Sequence, residues 1–151
     1  MSYEPTYKAV KGSHEAFTSV TFTDVAGLSL PVVAGVQYAI DGNVVFQSDT
    51  LAAGLGLAIT CPASTIMVQV GIPVDVNGVA MYHWGNIRGS TGFVQGTTVG
   101  GVNANYLAVL HGFIAPSASG TLQIQANVNT TTGNPTISVR ASSHLRLFQI
   151  G

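Results

Sequence analysis

His14, His83, His111 and His144 are the chain's four histidines, and no two stand at the H-x-x-x-H spacing that turns two imidazoles onto one metal. Ser142, Ser143 and His144 are adjacent, a nucleophile beside a base. A hydrolytic triad also needs an orienting acid and an oxyanion hole, and no carboxylate side chain follows Asp75. Asp41, Asp49 and Asp75 lack the D-x-D-x-D-G spacing of a calcium loop and read as turn aspartates. TTVGG, residues 97–101, lacks the G-K-[ST] ending of a phosphate loop. Cys61 is the only cysteine; it cannot form an internal disulfide and reads as a small buried apolar residue, not a nucleophile. These residues predict no enzyme, no cofactor and no metal site. One cluster remains, MYHW at residues 81–84. Tyr82 and Trp84 offer a stacking platform for a sugar ring, while the usual depth of Trp favours placing Trp84 in the core.

The elements that hold these residues are strands. In TLQIQANV, Leu122, Ile124, Ala126 and Val128 alternate with Thr121, Gln123, Gln125 and Asn127, the period of a half-buried antiparallel strand. Ile66, Val68, Val70 and Ile72 repeat it in STIMVQVGI, and FTSVTFT, residues 17–23, has the β-branched and aromatic composition of another strand. Turn signals fall between: Asp41-Gly42-Asn43 and Asn77-Gly78 predict hairpins. APSASG (115–120), NTTTGNP (129–135) and ASS (141–143) predict connections ahead of TLQIQANVN, TISVR and HLRLFQI. Residues 85–105 have low apolar density and read as a long loop or a weak strand. Short strands at this spacing imply an all-β antiparallel sandwich or jelly roll.

At 151 residues the chain fits one domain. Residues 1–12 are expected as an N-terminal arm, either reaching a neighbour or free, and residues 13–151 as a single jelly-roll domain. Only 7% of residues are charged, against about 25% in an average domain. Hydrophobic residues reach 46% and the formal net charge is −1. No apolar run is long enough for a membrane helix, and MSYEPTYKAVKG has no signal-peptide core. No cluster of Lys and Arg forms a nucleic-acid footprint or a membrane-binding patch. A chain so poor in charge is expected to hide much of its surface against other subunits, which also accounts for the apolar Leu145, Leu147, Phe148 and Ile150 in the last strand.

The stretch YLAVLHGFIAPSASGTLQIQANVNTTTGNPTISVRASSHLRLFQIG resembles the closing region of TNF/C1q-like jelly-roll domains in tailed-bacteriophage virion proteins. Their pattern LxxxxGxxxPSAxGTLxLxxA, followed by ITVxAGSxLRLxxI, is matched at Leu107, Gly112, Pro116, Ser117, Gly120, Thr121, Leu122, Ile124 and Ala126. It continues at Ile137, Val139, Ala141, Ser142, Leu145, Arg146 and Leu147. GVQYAIDGNVVFQSDTLAAGLGLAITCP is similar more loosely, so the likeness covers roughly residues 35–150. It implies a homotrimer packed about a threefold axis. Tyr106, Leu107, His111, Leu145, Leu147 and Phe148 are the candidate subunit contacts. Relatives carry one more strand after the one ASSHLRL matches, so that strand is expected to be lost or replaced by residues 17–23.

Such domains serve as head decoration proteins, fibre tips and minor tail components. A small, uncharged trimer with a short arm fits best a decoration protein made in the host cytoplasm. It would bind the major capsid protein on the virion surface and stabilise the shell by favouring the assembled lattice. The alternative is a receptor- or glycan-binding fibre tip using Tyr82 and Trp84. A secreted C1q-like module fits less well, given the missing signal peptide.

Overall fold

The computed structural model describes residues 4–151, and they form strands without a helix. In chain order these are β1 (Tyr7–Val10), β2 (Glu15–Phe17), β3 (Thr23–Val32), β4 (Tyr38–Ser48), β5 (Leu55–Thr60) and β6 (Ser64–Val76). There follow β7 (Val79–Arg88), β8 (Phe93–Gln95), β9 (Tyr106–Pro116), β10 (Gly120–Val128), β11 (Ile137–Val139) and β12 (His144–Gln149).

Four antiparallel pairings nest inside one another: β1 with β12, β3 with β10, β4 with β9, and β5 with β8. The chain is in effect one long hairpin, rolled so that alternate pairs fall in opposite sheets. One sheet runs β1-β12-β4-β9 and the other β3-β10-β5-β8. Eight strands wound this way make a jelly roll, with β12 as the eighth, so no strand is missing from it. The β6–β7 hairpin, inserted between β5 and β8, adds to the first sheet beside β9. Short β2 and β11 pair with each other, and β11 also with β4.

Alternation builds the core. Along β4, Ala39, Asp41, Asn43 and Val45 are only partly buried, and between them Gly42 and the side chains of Tyr38, Ile40, Val44 and Phe46 are buried. These side chains meet Leu28, Leu30, Leu57, Ile59, Leu122 and Ile124 of the opposite sheet in one apolar cluster. Cys61 is buried at its margin.

Three expectations need correction. Asp41-Gly42-Asn43 is no turn but the middle of β4, paired to β12 on one side and β9 on the other. Ladders on both flanks outweigh a local turn preference, and Gly42 fits because a Cβ there would already press on Leu145 Cδ1 at 3.1 Å. Residues 17–23 are not one strand: β2 ends at Phe17 and β3 begins at Thr23. Between them the chain turns, with the Thr21 N–H donating to Ser19 Oγ at 3.0 Å. Of the expected arm, residues 7–10 are instead β1, pinned to β12 with Tyr7 opposite Leu147 and Tyr7 and Ala9 packed on the core. Residues 1–3 lie outside the described residues.

Candidate functional site

The outward face of the larger sheet can be read row by row from its register. One row is apolar: Phe148, Ala39, Phe113 and Met67, ending at Arg88. Met67 in it is 58% exposed. The next row is polar, running Lys8, Arg146, Asp41, His111, Gln69 and Asn86, with Arg146 paired to Asp41. Beyond it, Val109 of β9 lies opposite Gly71 of β6, and Gly71 opposite Trp84 of β7. Tyr82, opposite Pro73, extends this second apolar zone. The face therefore carries two apolar patches separated by a polar belt.

The second patch has built geometry. Asn77 and Gly78 both take positive φ, 55° and 79°, the conformation of a type I′ turn, and so close β6 onto β7. Asp75 Oδ1 accepts the Gly78 N–H at 2.8 Å. On β7 the side chains of Tyr82 and Trp84 fall on the same face, with ring centroids 5.5 Å apart and planes 26° from parallel. They are 43% and 49% exposed. Both reach inward across β6. The Tyr82 hydroxyl donates to the Leu107 carbonyl at 3.1 Å, and the Trp84 benzo ring occupies the space above Gly71. Beside Tyr82 opens a pocket of about 350 Å³ whose wall includes Pro73, Asp75, Asn105, Tyr106 and Leu107.

The expected residues divide accordingly. Tyr82 and Trp84 come together, and the core placement of Trp84 is overturned: β7 is an edge strand, exposed on both faces from Val79 to Trp84. Among the expected subunit contacts, Leu107, His111 and Phe148 face outward, Leu107 being 40% exposed. Leu145 and Leu147 do not; they are buried in their own core, since the period of β12 turns them inward. Tyr106 also turns inward, against Phe46 at 5.5 Å, and donates its hydroxyl to the Gly101 carbonyl. His111 stands in the polar belt.

The residues weighed for catalysis have other partners. His144 Nε2 lies 3.1 Å from Asn43 Nδ2. Ser143 Oγ is buried, donates to the Arg140 carbonyl and accepts the Val45 N–H. Asp49 accepts the Thr136 N–H. Among the described residues, no three His, Cys, Asp or Glu side chains gather as a metal site would require. Sequence reasoning missed Asp75 and Asn105 as pocket residues, because register and the 96–105 connection bring them beside Tyr82. It also missed Gly71, whose lack of a side chain makes room for Trp84.

No protein-family model matches the chain, and no curated protein matches it in sequence. Among solved structures, it aligns with that of infectious bursal disease virus, Gx strain, at 14% identity and a TM-score of 0.28. It also aligns with the VP2 subviral particle of that virus, at 9% and 0.27, and with particles derived from it, at 11% and 0.30. In each case 95% of this chain is covered, but only 40–42% of the other. At these TM-scores the likeness assigns neither family nor role.

Proposed function

We propose that this chain is a virion structural protein: a homotrimeric jelly roll that decorates the outside of a bacteriophage head by binding the major capsid protein. The observation that carries the reading is the apolar row of Phe148, Ala39, Phe113 and Met67 on the outward face of the larger sheet. Water-facing sheets normally present polar side chains there. This chain, with 7% charged residues, presents a continuous apolar strip instead. Contact between copies would remove that strip from water, each square ångström contributing about 25 cal/mol. The sequence resemblance to trimeric phage domains supplies the threefold arrangement and the virion setting. Phe148 fits the expected subunit contact, and His111 would sit at its polar margin.

Light scattering tests the assembly. A mass of three times 15.5 kDa supports the reading, and a mass of one chain removes it. Quantitative protein analysis of purified particles tests the location. Copies in numbers comparable to the coat protein support decoration, whereas a handful per particle places the chain at a fibre tip.

A further inference from the structure

We propose that Tyr82 and Trp84, with the adjoining pocket bounded by Asp75 and Asn105, form a binding site for a neutral pyranose ring. The site is separate from the apolar row assigned to subunit contact, with the polar belt between them, and does not depend on that assignment.

Three observations point to a sugar. First, the rings are exposed yet held in place. The Tyr82 hydroxyl is engaged by the Leu107 carbonyl, and Trp84 fills the space that a side chain at Gly71 would need. Two oriented aromatic rings present electron-rich π surface, to which the weakly positive C–H face of a pyranose is drawn. Second, the polar groups at the pocket match sugar hydroxyls. Asp75 gives one carboxylate oxygen to the Gly78 N–H, while Oδ2 has no hydrogen-bond partner among the described residues. Asn105 accepts from Gln47 through Oδ1, and its amide N–H groups have no partner among the described residues. An acceptor and a donor beside an apolar floor are what fix a small polar ligand in a concave site. Third, among the described residues the pocket wall carries a carboxylate and no cationic side chain. An anionic sugar would meet an unbalanced negative charge there, whereas a neutral hexose would not.

A protein partner is the competing occupant, and the test separates the two. The full-length protein is mixed with millimolar methyl glycosides of galactose, glucose, mannose and N-acetylglucosamine, and with a sialoside. Binding is read by saturation-transfer NMR. The site predicts transfer to the ring protons of at least one neutral glycoside and none to the sialoside. Trp84→Ala is expected to weaken that binding by about tenfold or more, the cost of one lost stacking contact. Asp75→Asn weakens it with the rings intact, and Phe93→Ala, on another strand, leaves it unchanged. Circular dichroism establishes that each variant is folded. Absence of transfer from every neutral glycoside overturns the proposal, as does preference for the sialoside. Protection of the sole tryptophan from acrylamide quenching in the assembled protein also overturns it, because a protein surface would then cover the site.

Discussion

The benzo ring of Trp84 lies where a side chain on Gly71 would be: a Cβ built at Gly71 would stand 2.6 Å from Cζ3 and 2.7 Å from Cη2. The two residues face each other directly across the β6–β7 ladder. An indole can lie over its neighbouring strand at that point only because the neighbour has no side chain.

Gly71→Ala should therefore move the ring without unfolding the protein. The obstructed atoms are the far end of an exposed side chain, which a methyl group at position 71 would tilt out toward water. Gly71 is itself buried beneath the indole, but only that exposed side chain has to move, so the stability change is expected within about 0.5 kcal/mol. Trp84 is the only tryptophan, so its fluorescence reports the event directly. The emission maximum should shift to the red while the thermal midpoint holds.

Gly112→Ala makes the opposite prediction. A Cβ at Gly112 would fall 2.1 Å from the Met67 carbonyl oxygen and 2.7 Å from the Val68 Cα, both backbone atoms of the paired strand β6. Backbone cannot swing aside, so the β9–β6 ladder must open. A cost of about 3 kcal/mol is expected, a fall of roughly 10 °C in the melting midpoint for a domain of this size. A melting curve matching the parent would show that the two strands separate cheaply.

Local pattern made the strands legible where burial is one-sided. Leu122, Ile124, Ala126 and Val128 are buried as their alternation requires, and Asn77-Gly78 turns as its dipeptide requires. What local pattern cannot carry is pairing across long separations. Asp41-Gly42-Asn43 has the residues of a turn, yet His144–Arg146 and Val109–His111 pair with it from a hundred and about seventy residues away and hold it extended. Trp84 was misplaced for a related reason. Its exposure follows from β7 being an edge strand of an inserted hairpin, which is a property of the sheet order. The pocket was illegible because Asp75 and Asn105 belong to separate segments that meet only in the fold.

Cys61 gives a pH dependence. Burial pushes its thiol above the ordinary range, while the 2.9 Å hydrogen bond from Ser64 pulls the other way. In the unfolded chain the thiol ionises first as pH rises, so the folded state then binds more protons than the unfolded one. Stability from this group is complete below the ordinary thiol pKa and declines as pH climbs through it. Urea midpoints should fall between about pH 8 and pH 10, and the slope should be shallower in Cys61→Ala. Equal slopes in the two proteins would assign the alkaline loss to other groups.

Lys11 supplies the last prediction, because it is a buried cation with an identifiable task. It is 2% exposed, and its Nζ donates to Glu15 Oε2 at 2.6 Å and to the Ala26 carbonyl at 2.7 Å. Glu15 Oε2 in turn accepts the Ala26 N–H at 2.9 Å. Ala26 lies where β3 bulges: its pairing with β10 jumps from Ser29–Gln123 to Asp24–Gln125, and Gly27 takes a φ of 82°. A bulge takes backbone groups out of the ladder, and the Lys11–Glu15 pair satisfies both those of Ala26. Glu15→Gln leaves the buried ammonium of Lys11 without its counter-charge. Glu15 is itself partly exposed, so the expected cost is about 2–3 kcal/mol rather than that of a fully buried pair. Lys11→Met should cost a similar amount, by leaving the Ala26 carbonyl unpaired. The double variant should lose less than the sum, since neither charge then remains to be stranded. Urea melts of the four proteins give the coupling, and strict additivity would show that the two side chains act on the bulge independently.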